Sequence, residues 1–350
     1  MIPLVGDISN HNRPPLLPDR YPTGDFFVCD ILDAAPKSDM ASMEHPVFSL
    51  STKPDHRVRR YENGPNYIQI APSHRGLATV HDRDVLIFCI SQVMAALKEG
   101  RRIGNTLRFK AYDFLKATNR MTNGQAYGLL RDTFERLQGT QITTNIATGG
   151  VEQWEVFGLV DRAKVIRETR DGRMIDVEIT LSDWVFNAIK SNDVLTISRE
   201  YFRLRKPLER RLYELARKHC GTKANWKISL DLLQRKCGSH SNSREFRRLV
   251  SAIVRADEEH HHMPDYSLSL ESDYLVFQSR GTVPGNGNRQ SPGAMVGELD
   301  PDTYETARAL APGWDVYVLE QEWRNWMTEP PRNPDAAFLG FCRKRGPCRR

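Results

Sequence analysis

The chain has 350 residues, of which 27% are charged and 39% hydrophobic, with a formal net charge of +6 and a pI near 9.0. These totals fit a soluble globular protein of two or three domains. They exclude a helical membrane protein, because the longest purely apolar run, Val85 to Ile90, is far short of a bilayer span. The basic balance favours an anionic partner, nucleic acid before an acidic membrane surface.

Residues 1–44 are rich in Pro, Asp and Ser and lack a helical or strand period, which predicts a mostly disordered leader. They carry no cationic start followed by an apolar core, so no signal peptide is expected. DFFVCDIL (Asp25 to Leu32) is an apolar island that could add a strand. From Asp82 to about Glu99, Leu86, Cys89, Ile90, Val93, Met94 and Leu97 follow helical spacing, with Asp82 as the cap. TLRF (Thr106 to Phe109) predicts a short strand and Lys110 to Thr118 a short helix. Asn123 and Gly124 predict a turn or cap before a helix that buries Leu130, Phe134 and Leu137 and stops at Gly139. Thr140 to Ile146 alternates as a strand, and two further strands are joined by a hairpin at Asp171–Gly172.

The same order returns roughly 120 residues later. A basic helix, Pro207 to Cys220, is followed by a strand at Trp226 to Ser229 and a helix at Leu230 to Cys237. A turn at Ser239 to Ser243 leads to a helix from Arg244 to Asp257, and two strands close the unit. Helix, short strand, helix, turn, helix and hairpin is the order of a winged helix. The expected fold is therefore α+β, with two tandem winged-helix domains (helix-turn-helix plus β-hairpin) over 45–193 and 194–280. A Gly/Pro linker over 281–299 leads to a small helical C-terminal module over 300–350 that is rich in aromatic residues.

In a helix-turn-helix, the last helix enters the major groove with its N-terminal residues at the base edges. Base-reading candidates are Asn123, Gln125, Tyr127 and Arg131 in the first unit, and Asn242, Ser243, Arg244, Arg247 and Arg248 in the second. Between them, Arg199, Arg203, Arg205, Lys206, Arg210, Arg211, Arg217 and Lys218 stand against Glu200, Glu209 and Glu214. Leu208, Leu212, Leu215 and Ala216 give that stretch one apolar face, so its cations are expected outside, on DNA phosphates.

Signals for an enzyme are poor. No GxxxxGK[ST] or GxGxxG loop occurs. His260, His261 and His262 read as an exposed run in a loop rather than as a nickase or metal site. Cys342 and Cys348 lack neighbouring zinc ligands, and the six cysteines contain no Cys-x-x-Cys pair. Reduced thiols in the cytoplasm, no metal, no cofactor and no catalytic residue are expected.

Several long strings carry a resemblance: EHPVFSLSTKPDHRVRRYE, GLATVHDRDVLIFCISQ, DGRMIDVEITLSDWVFNA and LTISREYFRLRKPLERRLYELARKHCG. Over about Asp25 to Arg280 the chain resembles replication initiator protein A of plasmids. The resemblance implies binding to repeated double-stranded DNA sites at a plasmid origin, duplex opening, and recruitment of host replication proteins (helicase or its loader, and the host initiator). It also implies that a homodimer can form. A winged-helix transcriptional repressor, of its own gene among others, is the alternative. The EEHHHM run looks like an insertion, and the C-terminal module lies outside the match; it reads either as a partner or single-strand binding module or as a plain helical appendage.

Overall fold

The computed structural model describes residues 14–21, 27–29, 46–63, 66–98, 100–145, 147–148, 151–152, 154–167, 174–190, 195–221, 223–283, 296–297, 299–312, 314–327 and 331–346. In chain order, β1 (Phe27–Cys29), β2 (Arg59–Asn63) and β3 (Asn66–Ala71) precede the first long helix, α1 (Arg83–Lys98). Then come β4 (Thr106–Lys110), α2 (Ala111–Ala117), α3 (Gly124–Gly139), β5 (Gln141–Thr144), β6 (Ala147–Thr148), β7 (Val151–Glu152) and β8 (Glu155–Gly158). The first unit closes with β9 (Val160–Arg167), β10 (Met174–Leu181) and α4 (Asp183–Lys190). In the second, β11 (Leu195–Ile197) and a 3-10 turn (Arg199–Arg203) lead into α5 (Pro207–His219), β12 (Asn225–Ser229), α6 (Leu230–Cys237), α7 (Ser243–His260), β13 (Tyr266–Glu271) and β14 (Tyr274–Ser279). Helices α8 (Pro301–Leu310), α9 (Val316–Trp326) and α10 (Pro334–Arg345) follow.

The fold is mixed α+β with antiparallel sheets. Each unit has a three-stranded sheet of matching order, β4-β10-β9 in the first and β12-β14-β13 in the second. The strand before the second helix therefore pairs with the last strand of the unit both times. The first unit adds a four-stranded sheet, β2-β3-β5-β8. The Asp171–Gly172 hairpin and the Gly149–Gly150 turn lie outside the described residues, as does most of the expected linker.

Helix α1 is apolar enough to be buried on nearly all sides. Val85, Leu86, Ile87, Cys89, Ile90 and Val93 are all in the core. Phe88 meets Phe109 and Phe114 edge-on, with ring centroids 4.9 and 5.5 Å away. Burying each such ring contributes roughly 1.5–3 kcal/mol over leaving it in water. One hydrophobic cluster runs without a break from Val47 to Phe277, so the two units share a core. A second cluster, built on Trp323 and Phe338, holds the three C-terminal helices together. That module docks beside β12, where the Ser229 N–H donates to Asp315 (3.0 Å) and Lys223 Nζ donates to Gln321 (2.6 Å).

The strand expected of the Asp25–Leu32 island is present, Phe27–Cys29 pairing with β11, while residues 14–21 of the leader, expected to be disordered, bond to both units. Asp82, immediately before α1, is a buried hub as well as a residue at the helix start. Its carboxylate accepts from Thr79 N (2.8 Å), Thr133 Oγ1 (2.7 Å) and both Arg136 Nε and Nη2 (2.7 Å each). Burial alone would raise its pKa, but the bonds and charge of Arg136 outweigh burial and hold it below the usual carboxylate range.

Candidate nucleic-acid interface

The N-terminal end of α7, in the second unit, is open. The Asn242 side chain caps α7 by accepting from Glu245 N at 2.8 Å, which projects the next turn outward. Ser243, Arg244 and Arg248 are exposed. Arg244 has no bonded partner among the described residues. Arg247 is tied to the hairpin turn through Asp273 and Ser272 O, and Arg248 forks onto Glu245 with two bonds of 2.7 Å. Arg57 from the first unit stands near the α6–α7 turn, its charge felt at His240, with its guanidinium forked onto Asp55 (2.8 and 2.9 Å). Burial first, and then the charges of Arg57 and Arg59, push the His240 pKa below its ordinary value. The position of Arg57 beside this turn was not legible in the sequence, where it sits among other basic residues 183 residues upstream of His240.

The turn is held close to the first unit by Gly238. Its φ is +64°, and a Cβ there would lie 2.2 Å from Pro46 Cγ. Glycine meets both demands at once.

The first unit differs. Asn123 caps α3 through Ala126 N (3.0 Å), and Gln125 and Arg131 are exposed. Tyr127 packs partly against the core, so only its edge is available. The exposed neighbours of these residues, Met121 and Leu129, are apolar. Together with Leu17, Arg20, Phe202 and Leu204 they line a cleft of about 700 Å³ between the α3 N-terminus and the second unit's lead-in. His81 borders it too, its pKa pushed down to about 4 by burial and by the Arg210 charge.

The eight cations expected on phosphates are mostly committed elsewhere. Arg210, Arg211 and Arg217 are only 3%, 4% and 5% exposed, so they are corrected to internal residues. Arg210 donates to Asp84 (2.7 Å), Leu204 O (3.0 Å) and Phe202 O (3.2 Å). Arg211 donates twice to Lys236 O (3.0 and 3.1 Å) and once to Glu214 (3.3 Å), and Arg217 donates to the Tyr266 hydroxyl (3.2 Å). Arg83 donates to Glu214 at 2.5 Å. The polar face of α5 is thus turned onto the opposite charges of α1, not onto solvent. Arg199 and Arg203 are bonded to residues 17–21 of the leader. Arg205 and Lys218 are partly buried, and Lys206 is exposed beside Glu209.

The histidine run is also corrected. His260 is exposed, and His261 takes a left-handed turn (φ +48°) that sends His262 inward. His262 is 3% exposed, with Nε2 3.4 Å from Glu209 and Nδ1 3.8 Å from Asp257. No group of three or more His, Cys, Asp or Glu among the described residues is placed to hold a metal. Cys89, Cys220, Cys237 and Cys342 are buried, and burial pushes the thiols of Cys89 and Cys237 up to about 12. Cys348 lies outside the described residues. No helix among the described residues is long and apolar enough to cross a membrane.

The chain is similar over 262 residues to a "Putative replication protein" of Wigglesworthia glossinidia brevipalpis, at 36% identity, covering 73% of this chain and 94% of that protein. Two crystal structures of domains 2 and 3 of RctB, one as selenomethionine derivatives, overlay with TM-scores of 0.48 and 0.49 at 15% identity. They cover 67% and 68% of this chain and 94% and 96% of their own. Residues 37–268 match the family described as replication initiator protein A, and the chain belongs to that family.

Proposed function

We propose that the two units are winged-helix domains that bind repeated double-stranded DNA sites at a plasmid replication origin. Binding promotes duplex opening and recruits host replication proteins, the helicase or its loader and the host initiator. The protein acts in the cytoplasm by binding alone, without catalysis of its own. A homodimer is a further form through which it can act. The observation that carries this reading is the repeated order of helix, strand, helix, helix and hairpin with matching sheet order. In the second unit, Asn242, Ser243 and Arg244 stand in the open at the position where such modules read base edges. Membership of an initiator family supports the replication role.

Footprinting the full chain on DNA flanking its own gene tests the proposal. Protected direct repeats are the expected result. One palindrome over a promoter would favour repression instead, and nicking of supercoiled plasmid by the pure protein would contradict the absence of catalysis.

A further inference from the structure

The leader segment 14–21 lies between the two units and bonds to each. On the second unit's lead-in, Leu17 N donates to Arg203 O (2.8 Å) and Arg203 Nε donates to Leu17 O (2.8 Å). Leu16 bridges Leu204 in antiparallel fashion. Arg199 forks onto Asp19 (3.0 and 3.1 Å) and reaches Tyr21 O. On the first unit everything converges on Asn119, in the turn between α2 and α3. Its Nδ2 donates to Pro18 O (3.0 Å), its Oδ1 accepts from Arg20 N (2.9 Å), and its main-chain oxygen accepts from Arg20 Nη1 (3.0 Å). The Tyr21 hydroxyl is 3.5 Å from Thr122 Oγ1, next to the Asn123 cap.

Taking α3 as a DNA reader, as proposed above, we infer that this segment is a strap held across the Asn119–Thr122 turn before α3, beside the exposed Asn123 and Gln125. The turn before the reading helix and its first residues are the parts that a helix-turn-helix brings against the duplex. Here Leu17 and Arg20 line the same cleft as Asn123 and Gln125. The cleft they border, about 700 Å³, is partly open to solvent. Among the described residues, no leader residue bonds to Asn242, Ser243, Arg244 or Arg248, and all four are exposed. The second unit therefore engages DNA first, and the first unit follows once the strap leaves.

The strap is built to be exchanged. Most of its bonds are polar ones that water or phosphate can replace, so little net stability is lost on opening. Release frees Arg20 and Arg199 from the strap and the turn it covers, and frees Arg203 Nε from Leu17 O while its Nη1 stays on Glu200. These are cations for phosphate, each adding about 0.9 to the salt slope. On this view Arg199 and Arg203 meet DNA only in the open state.

The test uses the full chain with fluorescent duplexes tiling the DNA that flanks its own gene. Leu16→Cys with Leu204→Cys locks the strap, because antiparallel bridged pairs lie within disulfide reach. Asp19→Ala with Asn119→Gly loosens it, and glycine keeps the positive φ of Asn119. The oxidised lock should shorten the footprint to the second unit's half and weaken binding about tenfold or more, both reversed by reductant. The loosened variant should bind more tightly, with a salt slope steeper by about 1 to 2. If locked and loosened proteins protect the same span with the same slope, the gate is wrong while DNA reading stands. If no state protects any duplex, both fall. Hydrogen exchange over residues 14–21 gives an independent readout: adding duplex to the unmodified chain should raise it, and unchanged exchange would overturn the strap's release.

Discussion

Replacing Arg210 separates a structural role from a phosphate role. Arg210→Ala removes three donors from a buried site and leaves Phe202 O and Leu204 O without them. Asp84 loses one of its two arginines and keeps Arg120 (2.9 Å). The void opens over the Tyr201 ring, whose centroid is 5.0 Å from the guanidinium carbon. Breaking one side of a buried ion pair costs about 3–5 kcal/mol. For a core of this size that corresponds to a fall in Tm of roughly 6–20 °C. Urea denaturation followed by circular dichroism measures it directly. A double-mutant cycle with Asp84→Asn should return a coupling of about 1–3 kcal/mol. Stability unchanged within about 0.5 kcal/mol, together with weaker DNA binding and a flatter salt dependence, would refute the internal assignment.

Other outcomes can be stated more briefly. Gly238→Ala should destabilise the chain by about 2 kcal/mol or more, through positive-φ strain and the clash with Pro46, as read by the same denaturation assay; a neutral result would mean that the two segments are not in contact. His81 is neutral when folded, with its pKa lowered to about 4 from 6.5, so the unfolded chain binds more protons between those values. Stability should then fall as pH drops through 6.5 towards 4, by about 2 kcal/mol between pH 7 and pH 5. His81→Gln should remove that component of the slope, and an unchanged slope would exclude His81 as its source. Arg244→Ala should cost roughly 1–3 kcal/mol at the protected site and relax base choice, measured by competition between cognate and scrambled duplexes; equal loss on both would assign Arg244 to phosphate.

The order of elements was legible because periodicity records it. The α1 stripe, the Asn123 cap and the alternating strand after Thr140 each follow from local chemistry. The fate of the basic face was not legible. A run of arginines on an amphipathic helix looks the same whether it faces water or an opposite charge far away in sequence. The partners of α5, Arg83 and Asp84, sit more than 120 residues upstream and look there like ordinary helix-start charges. The contacts of the segment before Tyr21 were missed for a related reason. Residues 14–21 are held mainly by main-chain and side-chain hydrogen bonds, which leave no hydrophobic period to read. His262 was hidden by its neighbour, since only the left-handed turn at His261 points it inward.

The paired charges between α1 and α5 run in opposite senses: Arg83 reaches Glu214, while Arg210 reaches Asp84. Sliding either helix by one turn would set like charge against like, so the two units are fixed in register as well as joined. If the two units read DNA as proposed, they do so as a ruler, with a set separation and a set rotation about the duplex axis. Adding half a helical turn of DNA between paired sites should then be worse than adding a whole one.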